Sequence, residues 1–320
     1  MMAGGHEGAA FLGCRYPILG GAMTWVSERS LVSALSNAGA FGVLACGAMP
    51  PDKLREEIQA TRALTDQPFG VNLILMHPDL TALIDVVCEE KVSHLVFAGG
   101  IPTKAHIDQA HQAHVKVMGF APNAGIAKKL VKSGIDALII EGHEAGGHIG
   151  PVSTTVLVQE VLGTITDVPV FVAGGIGSRQ AIAAYMAMGA AGCQLGTRFV
   201  CATESRAHPK FKAAFIHASA RDAIVSTQLD KRFPVIPVRA LKNQGMDDFV
   251  TFQRQVIEDV DGGTLSLKDG QLKIEHFWAG ALRRAVMDGD VETGSLMCGQ
   301  SVGMVTREEP VADILADLVG

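Results

Sequence analysis

PVFVAGG, residues 169–175, is a short run of β-branched and aromatic residues that stops on a glycine pair. A strand with one face in water alternates apolar and polar residues, whereas a strand apolar at every position is covered on both faces, as in a parallel sheet wrapped by helices. The same grammar returns in YPILGG (16–21), FGVLACG (41–47), FGVNLIL (69–75), HLVFAGG (94–100), KVMGFAP (116–122), ALIIEG (137–142) and CQLGTRFV (193–200). Between these runs lie longer segments, such as PDKLREEIQATRAL and IAKKLVKSG, with apolar residues at helical spacing. Eight such units predict an α/β chain folded as a TIM (β/α)8 barrel. A doubly wound sheet is the competing fold; against it, no GxGxxG follows the first strand and GGIGSRQ has the wrong spacing.

The pattern changes after Val200. Residues 203–290 are richer in charge and carry two mainly helical blocks, HPKFKAAFIHAS and EHFWAGALRRAVMDG. The expectation is a barrel over 1–202, a smaller, mainly helical insertion after strand 8 over 203–290, and a C-terminal loop and helix over 291–320 that complete the barrel. An insertion at that point sits over the barrel's C-terminal mouth, where active sites of this architecture are found.

Composition narrows the partners. The chain has 320 residues, 48% of them hydrophobic, and a formal charge of −6, with no stretch that concentrates Lys and Arg. That argues for a large core and against nucleic acid. The six cysteines are far apart and form no CxxC pair, which suits reduced core thiols. MMAGGHEGAAFLG lacks the basic start of a secretory signal, and no apolar run approaches the ~18 residues that span a bilayer. A cytoplasmic protein with no membrane partner is expected.

EGHEAGGHIGP, residues 141–151, carries the densest chemistry. It resembles the zinc motif HExxH, but His143 and His148 are five apart, and Gly146-Gly147 would break the helical turn that aligns two imidazoles on one ion. No metal site is expected. Because the segment follows the apolar strand ALIIEG, Glu141 falls at a strand end and His148 in the loop over the mouth. The glycine pair leaves backbone open to a flat ligand. His106, His111 and His114 fall on one outer helix and read as a solvated face.

EGHEAGGHIG, taken with GGAMTW at the first strand, FGVNL at the third, AGGI at the seventh and GTRF at the eighth, resembles the nitronate monooxygenase / 2-nitropropane dioxygenase superfamily of FMN-binding barrels. AHPKFK, VRALKNQ and GSLMCGQSVG make it most similar to the flavin-dependent enoyl-[acyl carrier protein] reductases of the FabK type. The resemblance implies a flavin beside His148, which would assist at the oxygen of a bound substrate. It implies flavin contacts from Gly21, Ala22, Met23, Asn72, Glu141, Gly146 and Gly147, with Ala22 standing where the family more often has glycine. Backbone amides around Gly174, Gly175, Gly196 and Thr197, with Ala173 and Gln194 as neighbours, would take the FMN phosphate, since a dianion is well held by successive N–H groups. NADH or NADPH would be the reductant, a monovalent cation a further cofactor, and a small-molecule or acyl-carrier-bound thioester the substrate; a homodimer is compatible with the family. The alternatives are a nitronate monooxygenase using oxygen and a flavin-binding barrel without turnover.

Overall fold

The structure, a computed structural model, describes residues 3–235 and 237–320. The described residues form eleven strands: β1 (Ile18–Gly20), β2 (Phe41–Ala45), β3 (Gly70–Ile74), β4 (His94–Ala98), β5 (Lys116–Phe120), β6 (Ala137–Glu141), β7 (Gly147–His148), β8 (Val170–Ala173), β9 (Gly192–Leu195), β10 (Ala223–Val225) and β11 (Val238–Leu241). Eight of them close a barrel in the order β1-β2-β3-β4-β5-β6-β8-β9, parallel at every recorded pairing, with β1 against β9 completing the circle. The eight apolar runs read from the sequence are these strands, and the TIM barrel is the observed fold.

Burial on both faces accounts for their uniform composition. Leu19, Phe41, Val43, Val96, Met118, Ile139 and Phe171 fill the interior. Their neighbours in the chain, among them Leu44, Leu95, Val117, Leu138, Ile140 and Val172, face the surrounding helices. Each fully buried aliphatic side chain contributes about 1.5–3 kcal/mol relative to leaving it in water. The packed interior leaves no pore along the axis, so space for a ligand lies beyond the strand ends.

The N-terminal helix lies outside the sequence reading. The helix Ala3–Leu12 closes the floor, where the strands begin. Its three glycines lower its helical propensity and it has little amphipathic pattern, but small residues let it approach the barrel: a Cβ on Gly8 would lie 2.0 Å from the Ala191 carbonyl oxygen. Phe11 packs on Phe171 and His94, with ring centroids 6.1 and 5.1 Å apart. His94, buried among these rings, bonds through Nε2 to the Phe11 carbonyl at 3.0 Å and through Nδ1 to Ser93 Oγ at 2.9 Å.

Beyond β9 the chain forms the helix Pro209–Ile216, the antiparallel pair β10–β11, and the helices Gln244–Asp261 and Leu267–His276 around a small apolar cluster of Phe233, Phe249, Val256 and Ile274. This part is mainly helical, as read, but β10 and β11 went unread. They are three and four residues long, without alternation, and β7, the other partner of β11, is only Gly147–His148. The chain ends in the helix Val311–Val319, tied back by Arg198, which donates to Glu309 and Asp317 at 3.0 Å each. Among the described residues no helix is long and apolar enough to cross a membrane.

Burial lowers the His94 pKa from 6.5 to about 4, helped by the nearby Lys116 charge. The unfolded chain therefore takes up a proton, as pH falls from 6.5 toward 4, that the folded chain refuses. Stability should decline with falling pH across that window. A His94→Gln variant should show a shallower decline in melting temperature between those limits, measured by calorimetry; an unchanged slope would count against this assignment.

Candidate active site

A cavity of about 710 Å³ opens at the C-terminal ends of the barrel strands. Every site residue picked from the sequence lies on its wall. Gly21, Ala22 and Met23 follow β1; Asn72 comes from β3 and Glu141 from the end of β6; Gly146, Gly147 and His148 come from the following loop and β7. Ala173, Gly174 and Gly175 come from β8 and its loop, and Gln194, Gly196 and Thr197 from β9 and beyond. The sequence reading missed the wall that β4 and β5 supply, including Val96, Gly99 and Phe120, although HLVFAGG ends in glycines as PVFVAGG does. It also missed Leu282 and Ser301, brought in from the late part of the chain.

The HEAGGH side chains diverge, each for a local reason. Glu144 Oε2 accepts from the backbone N–H and the hydroxyl of Thr154, both at 2.8 Å, and so anchors the start of the helix Thr154–Leu162. His143 Nδ1 bonds to the Gly150 carbonyl at 3.0 Å. Of the three polar side chains only His148 lines the cavity, and it makes no side-chain hydrogen bond to any described residue. Among the described residues no group of three or more His, Cys, Asp or Glu side chains could hold a metal ion. On the outer helix, His111 pairs with Asp136 at 2.8 Å, and His106 is only partly exposed, its Nδ1 buried without a partner. His111 and His114 are exposed as read, but His106 is not, and His114 lies past the end of the helix Lys104–Gln112 in a left-handed conformation (φ 61°) rather than on its face.

His148 is positioned from a distance. β11 lies antiparallel to β7 with Val238 opposite His148 and Arg239 opposite Gly147, and Ile149 donates to the Pro237 carbonyl at 3.1 Å. The buried Arg239 guanidinium then locks the loop, donating to the His143 carbonyl from Nε at 3.2 Å and Nη2 at 3.0 Å, and to the Ala223 carbonyl from Nη1 at 2.6 Å. Burial lowers its pKa, and its partners are carbonyls rather than a carboxylate. Gly146 presses against the second loop: a Cβ there would sit 2.4 Å from the Cys298 carbonyl carbon and 2.5 Å from Gly299 N. Only a residue without a side chain permits that approach.

Polar groups on the wall are left open to a ligand. The backbone amides of Gly174, Gly175, Gly196 and Thr197 donate to no other described residue. Thr197 Oγ1 accepts from Gly299 N at 2.9 Å. Asn72 donates to the Val96 carbonyl at 3.1 Å, leaving its oxygen free. The Glu141 carboxyl has no hydrogen-bond partner among the described residues, and burial pushes its pKa up to about 8. Burial holds the His148 pKa below 6.5, so its imidazole is neutral at pH 7.

Comparison with known proteins gives one direction. A family model described as nitronate monooxygenase matches residues 7–83 and 80–320. Superposed on FabK from Thermotoga maritima, the chain has a TM-score of 0.87 and 37% identity, covering 97% of this chain and 94% of that one. It is 32% identical to a 5-hydroxy-7a-methyl-1-oxo-octahydro-1H-indene-4-carboxyl-CoA dehydrogenase of Rhodococcus jostii, over 96% of this chain and 94% of that protein. A probable nitronate monooxygenase of Staphylococcus aureus is 25% identical over 96% of this chain and 94% of its own.

Replacing Arg239 by Met keeps most of the volume and removes the three donated bonds. We expect a loss of about 2–3 kcal/mol of stability in urea denaturation and faster amide hydrogen exchange at Gly147–Ile149. Unchanged exchange there would show that the guanidinium does not hold the loop. Glu141 supplies a second test. Its folded pKa lies above the unfolded value of 4.5, so its contribution to stability is full below 4.5 and lost as pH rises through about 8. Glu141→Gln should flatten that decline in ligand-free protein, read as melting temperature against pH.

Proposed function

The chain belongs to the nitronate monooxygenase family, an oxidoreductase family, and on that premise we propose that it is an FMN-dependent enzyme that uses NAD(P)H to reduce the carbon–carbon double bond of an enoyl thioester. The observation that carries the proposal is His148: a neutral imidazole, unengaged by any described residue, held by β11 at a cavity walled by glycines and open amides. The thioester substrate is supported by the higher identity to FabK, 37%, than to the Staphylococcus relative, 25%.

The residues present fit a flavin mononucleotide. Gly21, Ala22, Gly146 and Gly147 line the wall without bulky side chains, which suits a flat ring. The four unpaired amides of Gly174, Gly175, Gly196 and Thr197 suit a phosphate. Asn72 Oδ1 and the Glu141 carboxyl are unpaired polar groups of the kind that ring-edge N–H groups or ribityl hydroxyls would satisfy. The chemistry such a group supplies when bound is storage of a hydride equivalent between reductant and substrate.

The chain's own part is orientation and electrostatics. As hydride arrives at the β-carbon of an enoyl thioester, negative charge grows on the carbonyl oxygen, and the remaining proton is taken up at the α-carbon. His148, neutral and with one N–H to donate, is suited to stabilise that oxygen, an effect of about 10²–10³ in rate for a single positioned donor. The second reading, oxidation of alkyl nitronates with oxygen, is favoured by the family's description and would use the same cavity.

The reading is tested by anaerobic half-reactions. NADH or NADPH should bleach the visible absorbance of the purified protein, and crotonyl thioester should restore it. His148→Ala should slow the second step by about 10²-fold or more while leaving bound flavin unchanged. Failure of the thioester to restore absorbance, with oxygen uptake on adding propyl nitronate, would replace the reductase by the nitronate reading.

A further inference from the structure

Trp25 is held in an unfavourable backbone conformation and packs into none of the protein's apolar clusters. Its φ is 71°, in the left-handed region that bulky L residues rarely adopt. The turn around it is cross-braced. Ser27 Oγ donates to the Gly21 carbonyl and accepts from Met23 N, both at 2.9 Å, while the amides of Val26 and Ser27 both donate to the Met23 carbonyl, at 2.9 and 2.8 Å. Met23, Thr24 and Val26 line the cavity, so this brace places the Trp25 ring, 40% exposed, at its rim. Across from it, Arg283 follows the cavity-lining Leu282, and its guanidinium lies 5.8 Å from the ring centroid. Arg283 also donates to Asp288 at 3.1 Å, but both partners are about half exposed, and a solvated pair of this kind leaves other guanidinium donors free.

Strain maintained by a dedicated hydrogen-bond brace, with no core packing in return, is characteristic of ligand clamps. An exposed indole face takes a planar base, and a neighbouring guanidinium takes phosphate. We propose that Trp25 and Arg283 form a platform at the cavity rim for the base and phosphates of a nucleotide-bearing ligand. Two sources share that chemistry: the adenosine end of the nicotinamide dinucleotide and that of a coenzyme A thioester. The choice between them rests on the reductase reading, whereas the platform itself does not.

The chain has two tryptophans, Trp25 and Trp278, so Trp278→Phe leaves Trp25 as the sole indole. In that background ADP should quench the fluorescence of the purified full chain saturably, and Arg283→Gln should weaken ADP binding at least fivefold. Trp25→Asn suits the left-handed backbone and should melt no lower than its parent, so a folding defect does not confound it. Its inhibition constant for ADP should rise at least fivefold, the lower end expected for one stacked base. In turnover, a raised KM for NADH with an unchanged KM for crotonyl-CoA assigns the platform to the dinucleotide. A raised KM for crotonyl-CoA but not crotonyl-pantetheine assigns it to the thioester. Absence of saturable quenching by ADP, or unchanged KM values for both substrates, overturns the proposal. Saturable ADP binding without thioester reduction leaves the platform standing and removes the reductase reading.

Discussion

Closure of eight parallel strands governs everything else in this molecule. Once β1 pairs with β9, no barrel edge is left open, the interior must be filled by side chains, and both faces of each strand are dry. A filled cylinder has room for chemistry only past its ends. The floor is taken by the helix Ala3–Leu12, with Phe11 and Leu12 packed beneath Phe171, which leaves the C-terminal end as the place where strand termini, glycine loops and open amides converge.

The mouth is finished by a second, much smaller sheet. β10, β11 and β7 together hold only nine residues, by the lengths of three, four and two, yet they set where His148 stands. A two-residue strand has little stability alone, since so few ladder bonds cannot offset the entropy of ordering it. Arg239 supplies what is missing by reaching across to the His143 carbonyl, and Gly146 lets the loop rest directly on the backbone of Cys298–Gly299. The segment after the barrel is thus a structural partner of the loop that carries His148, and it adds Phe211 and Leu282 to the cavity wall.

Two glutamates three residues apart illustrate how position decides chemistry. Glu144 is consumed by Thr154 and serves the helix behind it. Glu141 has no hydrogen-bond partner among the described residues and stays neutral well above the ordinary carboxylate range, because taking a charge out of water without compensation is costly. The resemblance implied a flavin contact for Glu141. The loop-anchoring carboxylate is Glu144, and Glu141 faces the cavity.

What the sequence determined by itself is what local pattern can carry: eight doubly buried strands, the glycine-marked ends where ligands approach, the mainly helical character of the later segment, and the wall positions from Gly21 to Thr197. Apolar periodicity and glycine placement belong to the residues concerned, so they are visible without partners. The floor helix, the β7–β11 pairing, the role of Arg239, the split between Glu141 and Glu144, and the left-handed Trp25 were decided only by the tertiary structure. Each depends on a contact or brace supplied by other residues: Gly8 on Ala191, Gly147 on Arg239, Glu144 on Thr154, Trp25 on the hydroxyl of Ser27. Segments this short or this weakly patterned take their conformation from the surfaces they meet, and those surfaces exist only once the barrel has closed.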